Sequence, residues 1–248
     1  EKCSKQGICV FNTPGANANA VAELVLCGLL LGSRNVIGGV NWAQTLKNEG
    51  DAVAKLVEKG KGQFVGPEVR GKTLGVIGLG AIGRLVANAA SEGLGMKVIG
   101  YDPYYTPNAA DGTDYIESVD LDTLFRESDI LVLHMPLTPE TRNIVNAEAM
   151  AKMKHSAYVV NVSRGGLVNE ADLDKALENK VIAGAALDVT EKEPMDFDSP
   201  LLRHENFIVT PHMAWYSEQA ASELKRKVAE EAVRFAKGEP LRSPVNKI

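Results

Sequence analysis

Beyond residue 71, short apolar runs alternate with stretches whose apolar positions recur at helical spacing. Runs at 74–77, 97–101, 130–133, 158–161, 184–187 and 207–209 have strand length. Helical patterns fill the gaps at 82–92, 121–127, 147–153 and 170–179. Such alternation predicts an α/β fold in which a parallel sheet is covered by helices on both faces. Upstream, residues 18–33 are apolar on most faces of a helix, which predicts a buried one. Residues 34–70 are more polar and rich in Gly and Lys, with Trp42 and Phe64 as isolated anchors. They read as a helical arm outside the sheet. Residues 217–237 predict a long amphipathic helix, and no internal repeat or low-complexity segment interrupts the chain.

Composition narrows the class. At 248 residues, 45% hydrophobic and 24% charged, the chain can bury a sizeable core and is not a disordered sequence. The net charge of -5 and the lack of a basic stretch argue against nucleic acid and anionic membrane surfaces as partners. The longest apolar run, 24–31, is far short of the ~20 residues that span a bilayer, and no signal peptide is visible. Cys3, Cys9 and Cys27 form no C-x-x-C pair, so neither a metal site nor a disulfide framework is indicated, and reduced thiols in a cytoplasm are the simplest reading. The chain starts at Glu1 without a Met, so a fragment or processed product is expected.

Gly78-Leu79-Gly80-Ala81-Ile82-Gly83 is a G-x-G-x-x-G placed between a predicted strand and a predicted helix. Glycines at this spacing permit a tight turn, let backbone approach a pyrophosphate, and allow close helix–strand packing. The helix start then offers a partial positive charge to the phosphates. Asp102 ends the next strand, nineteen residues after Gly83. A carboxylate there accepts from ribose hydroxyls and repels a 2′-phosphate, which favours NAD over NADP. A structural Gly-rich turn beside a surface Asp is the plainer alternative.

Three later segments carry polar residues just past strands. In 161–166 (Asn-Val-Ser-Arg-Gly-Gly), Arg164 follows a strand end, where its planar fork suits a carboxylate in two-point contact. In 188–194 (Asp-Val-Thr-Glu-Lys-Glu-Pro), several acids share one loop. Thr210-Pro211-His212 follows the last strand. Taken singly, each reads as a surface ion pair, a solvated loop or a structural His. Yet all lie at the same sheet edge as the Gly-rich turn, which a parallel sheet reserves for ligands.

With His134-Met135-Pro136-Leu137-Thr138 added, these motifs resemble, in order and rough spacing, those of the D-2-hydroxyacid dehydrogenase family over nearly the whole chain. Asn12-Thr13-Pro14-Gly15-Ala16-Asn17, leading into Val21-Ala22-Glu23, is most similar to the 3-phosphoglycerate dehydrogenases of that family. The resemblance implies a Rossmann-type doubly wound sheet at 16–213, with remnants of a second, flavodoxin-like substrate domain at 1–15 and a helix returning to it at 214–248. It also implies NAD as cofactor, a homodimer built through an arm at 34–70, and a small 2-hydroxy or 2-keto acid as substrate. That acid would be 3-phosphoglycerate, in serine biosynthesis.

By the same resemblance, Arg164 would bind the substrate carboxylate, His212 would be the general acid/base, and Glu193 would hydrogen-bond His212. Glu193 is preferred to Glu191 because the family's acid immediately precedes the proline. Asp188 would lie near the nicotinamide. Gly78, Gly80, Ala81, Ile82, Gly83, Asp102, Pro103, His134, Pro136, Thr141, Val162, Ser163 and His212 would line the cofactor site. No metal is implied. Glu1-Lys2-Cys3 resembles the last strand before the crossover into the cofactor domain, so most of the family's N-terminal substrate domain, and any C-terminal regulatory domain, is expected to lie outside this chain.

Two neighbouring activities compete. A hydroxypyruvate or glyoxylate reductase would use the same residues. An NAD-sensing corepressor like the C-terminal-binding proteins is the non-enzymatic alternative, since 210–220, with Trp215, resembles theirs. Formate dehydrogenases pair their His with Gln where Glu193 stands. Short-chain dehydrogenases need a Tyr-x-x-x-Lys pair, which does not occur here.

Overall fold

The computed structural model describes residues 1–247. Seven strands form one parallel sheet: β1 (Thr73–Ile77), β2 (Lys97–Tyr101), β3 (Glu117–Ser118), β4 (Ile130–Leu133), β5 (Tyr158–Asn161), β6 (Gly184–Leu187) and β7 (Phe207–Val209). Their order is β3-β2-β1-β4-β5-β6-β7. Chain direction across the sheet therefore reverses between β1 and β4, and a crevice opens beyond their carboxyl ends. Strands β4, β5 and β6 are buried at every position, as expected for a sheet covered on both faces.

The covering helices fall into two groups. On one face, α2 (Ala18–Ser33) and α5 (Ala81–Asn88) pack on Leu74, Val76, Val132 and Val160. On the other, α6 (Leu121–Glu127), α7 (Ala147–Lys152) and α8 (Glu170–Glu178) pack on Ile77, Leu131, Leu133 and Val159. Successive strand residues alternate between these two cores, as the pleat requires. Helix α2 is fully enclosed at Val25 and Leu29, and Gly32 lets the Tyr158 ring lie against it. The last helix, α9 (Glu218–Ala236), is capped by Ser217, whose Oγ accepts from Ala220 N at 3.0 Å.

Residues 34–70 leave the sheet, as predicted, as α3 (Val36–Thr45), α4 (Val53–Gly60) and short 3-10 turns, none of which buries a residue. Trp42 and Phe64 pack on each other with ring centres 5.4 Å apart. Among the described residues, no single helix is long and apolar enough to cross a membrane.

Two expectations need correction, and one strand carries no signal in the sequence. Glu1-Lys2-Cys3 is not a strand: Lys2–Lys5 is a short helix, α1, closed by Lys5 N donating to Glu1 O and ended by Gly7 at φ +67°. Pairing begins later, where Phe11 bridges Pro244 antiparallel and Val245 N donates to Val10 O. Strand β3 is short, exposed and polar, so no apolar run announces it. The helix predicted at 82–92 is α only to Asn88 and continues as a π turn through Gly93.

Candidate active site and dinucleotide crevice

The glycine turn and the later polar motifs stand at the carboxyl edge of the sheet, while Asn12 to Asn17 lies outside it, ahead of α2. Gly78 follows β1, Asp102 follows β2, His134 follows β4, Val162 to Gly166 follow β5, Asp188 follows β6, and Thr210 to His212 follow β7. Each connection leaves its strand there, because every strand in the sheet points the same way.

The three glycines of the first turn do different jobs. Gly78 has φ +95°, and a Cβ there would stand 2.7 Å from His134 O. Gly83 is buried, and its Cβ would stand 2.0 Å from Gly78 O, so only glycine lets α5 close onto β1. Gly80 has ordinary φ and nothing within 4 Å of a Cβ. No protein atom demands a glycine there, so the open space beside it fits a close-approaching ligand. Gly80 is also the N-cap of α5 and supplies no side-chain cap, and Ala81 is exposed at the helix start. Free N–H groups at such an end suit a pyrophosphate. Asp102 ties the turn down: Leu79 N donates to Oδ2 at 2.7 Å and Tyr104 N to Oδ1 at 2.8 Å. Pro103 beside it is exposed.

Across the crevice, the two ring nitrogens of His134 are enclosed and have no hydrogen-bond partner, although part of the residue reaches the surface. Desolvation lowers its pKa to about 4, so the ring is neutral at pH 7. An enclosed imidazole without a protein partner, beside an uncapped helix start and an open glycine, fits a polar dinucleotide in this crevice. Pro136 is exposed, and its carbonyl accepts from Thr141 Oγ1 at 2.8 Å. Thr141 Oγ1 also accepts from Thr138 N at 2.7 Å, so this hydroxyl closes the loop upon itself. Ser163 Oγ donates to Met135 O at 2.8 Å, joining the β4 and β5 loops, and Val162 is buried beneath them.

Arg164 is exposed, and its guanidinium makes one hydrogen bond, to its neighbour's Ser163 O at 2.7 Å. No carboxylate among the described residues pairs with it. A guanidinium so placed is available to a carboxylate ligand.

His212 and Glu193 come from different loops and meet, with His212 Nδ1 2.6 Å from Glu193 Oε2 and both side chains partly exposed. Glu191 turns away: its Oε1 accepts from Glu170 N at the start of α8. His212 has φ +53°, a costly conformation for a residue with a Cβ. Asp188 sustains it. His212 N donates to Asp188 O at 2.8 Å. The buried Asp188 carboxylate accepts from Thr210 Oγ1 (2.5 Å), Met213 N (2.9 Å) and Ala214 N (2.8 Å), bracketing His212 on both sides. Asp188 is thus first a fastening for the His212 loop.

The sequence motifs assign no role to Asn161 or Thr210. Asn161, buried at the end of β5, accepts from Ser163 N at 3.0 Å and donates to Arg164 O at 2.9 Å, fixing the backbone that carries the arginine. A polar residue closing an apolar strand is the signal that could have found it. His212, Glu193 and Asp188 themselves line an open cavity of about 570 Å³, together with apolar side chains such as Met195, Phe197 and Val209.

Comparison with known proteins identifies the family. Residues 37–214 match the sequence model of the D-isomer specific 2-hydroxyacid dehydrogenase NAD-binding domain. D-3-phosphoglycerate dehydrogenase of Synechocystis sp. is 42% identical over 243 residues, covering 98% of this chain and 41% of that protein. Glyoxylate reductase of Thermococcus litoralis is 37% identical over 256 residues, covering all of this chain and 72% of that protein. Among solved structures, D-lactate dehydrogenase with NAD+ from Lactobacillus jensenii superposes with a TM-score of 0.83 at 29% identity, over 99% of this chain and 74% of that one. The chain spans less than half the length of the phosphoglycerate dehydrogenases it matches. With well over half of its length matched and the parallel sheet in place, the chain belongs to the D-isomer specific 2-hydroxyacid dehydrogenase family and carries that family's NAD-binding domain.

Proposed function

We propose that this chain is the cofactor-binding and acid–base part of a dehydrogenase that interconverts a D-2-hydroxy acid and its 2-keto acid, with 3-phosphoglycerate and 3-phosphohydroxypyruvate as the favoured pair. The observation that carries this reading is the contact of His212 Nδ1 with Glu193 at 2.6 Å, which leaves Nε2 free, at the sheet edge that also bears the unpaired Arg164. Bound NAD supplies the hydride acceptor for C2 of the substrate. Arg164 holds the substrate carboxylate in two-point contact and orients C2. His212 Nε2 takes the 2-hydroxyl proton in oxidation and returns it in reduction. Glu193 fixes the imidazole orientation through Nδ1 and stabilises the imidazolium as it forms.

Gly78 to Gly83 cradle the pyrophosphate, and Asp102 accepts from the adenosine ribose. His134, Pro136, Thr141, Val162, Ser163 and Asp188 wall the remainder, with His134 offering a neutral ring nitrogen. Residues 1–15 and 214–248 belong with a substrate domain, a reading supported by the antiparallel bridge of Phe11 to Pro244. Residues 34–70 form the arm of a homodimer, supported by exposed Val36, Ile37 and Val40 on α3. Three free thiols support a reducing, cytoplasmic setting.

Relatives named glyoxylate reductase favour a second substrate, glyoxylate or hydroxypyruvate, on the same residues. The deciding experiment titrates the chain with NADH and NADPH, following nicotinamide fluorescence. It then assays the full-length protein with 3-phosphohydroxypyruvate, hydroxypyruvate and glyoxylate. NADH preference with fastest turnover of the phosphorylated acid supports the first reading. Fastest turnover of glyoxylate moves the assignment to the second. Absence of NADH binding by folded protein removes both.

A further inference from the structure

The loop that starts at Asp102 folds back over α5 and closes a small polar cluster. Arg84 lies on the first turn of α5, with its guanidinium carbon 4.8 Å from the centre of the Tyr105 ring. One of its nitrogens is 3.9 Å from Asp111 Oδ2. Asp111 is itself held in place. Thr113 Oγ1 donates to its Oδ1 at 2.5 Å, and the Tyr105 hydroxyl donates to its Oδ2. Asn108 stabilises the turn by accepting from Ala110 N and Asp111 N. Hydrogen bonds from Thr113 and Tyr105 keep the Asp111 carboxyl below the usual carboxylate range, so it is charged at neutral pH.

Cations are scarce at this corner. Between residues 78 and 113 the sequence holds only Arg84 and Lys97. Lys97 opens β2 at the opposite edge of the sheet, where it pairs with Glu117 and Glu127. Arg84 is therefore the cation that this stretch could present to a negatively charged group near Asp102.

We propose that Asp111 is a cofactor-specificity residue, which by holding Arg84 on the Tyr105 ring withholds from a 2′-phosphate the cation that would bind it. This rests on the reading of the crevice as a dinucleotide site with Asp102 at the adenosine ribose. Two acids then select NAD: Asp102 by direct repulsion, Asp111 by occupying Arg84. An exposed ion pair at this distance is weak, so it is a releasable clasp more than a structural bond. A phosphate dianion offers more charge and three acceptor oxygens, and it takes a freed guanidinium readily.

The test measures NADH and NADPH dissociation constants by nicotinamide fluorescence. Asp102→Ser removes the repulsion and serves as the reference. Adding Asp111→Asn, which preserves side-chain shape but removes the charge holding Arg84, tightens NADPH binding by about two- to fivefold, the range that an exposed ion pair sets. Adding Arg84→Met to that pair abolishes the gain. Arg84→Met in the Asp102→Ser background alone leaves NADPH binding unchanged, because Arg84 is already occupied. The proposal is overturned if Asp111→Asn brings no gain, if the gain survives loss of Arg84, or if Arg84→Met weakens NADPH binding while Asp111 is intact. Loss of both dinucleotides in the unsubstituted protein is a different result: it removes the dinucleotide reading itself, and this inference with it.

Discussion

His212 Nδ1 sits 2.6 Å from Glu193 Oε2, across two loops that leave β6 and β7. This contact engages Nδ1 and leaves Nε2 as the nitrogen that the proposed function turns to the substrate. In full-length protein, His212→Asn lowers turnover by roughly 10²–10⁴-fold, the usual contribution of a general acid/base. Glu193→Gln lowers it less, because the amide still holds the ring but no longer stabilises its charge. Steady-state kinetics with NADH binding measured in parallel checks both. Turnover untouched by His212→Asn would remove the acid–base assignment.

Asp188 holds the loop that puts His212 at φ +53°. Asp188→Ala leaves the N–H groups of Met213 and Ala214 without their acceptor, and Ala214 is buried. A loss of about 1–3 kcal/mol follows from the one unpaired buried donor. Urea unfolding measures it, and a change within about 0.5 kcal/mol, typical of a neutral surface site, would mean that the loop is held by other means.

Gly80 and Gly83 separate ligand binding from folding. Gly83→Ala drives a methyl against Gly78 O at 2.0 Å and costs about 1–3 kcal/mol or more in overpacking. Gly80→Ala meets no protein atom, so the melting temperature holds while NADH affinity falls about tenfold, since a methyl stands where the pyrophosphate is proposed to approach. Thermal melts beside NADH titrations test the contrast, and equal effects at both positions would contradict it.

His134 gives stability a pH dependence of defined sign. Its pKa falls from 6.5 in the unfolded chain to about 4 in the fold. Between these values the unfolded chain binds a proton that the folded chain refuses. The His134 contribution therefore weakens as pH falls through this window, by about 1.4 kcal/mol per unit, and levels off below pH 4. His134→Leu removes this slope. Denaturant unfolding at pH 7 and pH 5 should show a smaller acid loss in the variant than in the parent, by about 2 kcal/mol. Equal losses in both would show that the ring is protonated in the fold.

The arm exposes Val36, Ile37 and Val40 along α3. Replacing Ile37 and Val40 by Asp puts charge into the face proposed to meet a second copy. Light scattering then reports a monomer where the parent is a dimer. A monomeric parent would remove the dimer reading.

Most of the sheet is written in local pattern. Strands β4 to β6 are apolar runs, apart from the Asn161 that closes β5, because both faces are buried, and their helices carry side-chain caps from Asp120, Asn146 and Asn169. The glycine turn is legible for the same reason, since its spacing answers a local backbone demand. Strand β3 is not legible: with two exposed polar residues, it exists only because β2 offers an edge. Nor is α1, whose residues resemble a strand whose pairing begins elsewhere, at Phe11 and Pro244.

The candidate site divides along the same line. By itself, the sequence determined that Gly78 to Gly83, Asp102, Arg164, Glu193 and His212 would stand at one sheet edge, because parallel strands place every following loop there. It also picked out Glu193 over Glu191, through likeness to a family motif. Only the tertiary structure decided that Asp188 is engaged in holding the His212 loop, that Asn161 fixes the Arg164 backbone, and that Asp111 holds Arg84. Those pairings depend on where separate loops meet, and such distances are set by the packing of the whole sheet and its helices, beyond the reach of spacing along the chain.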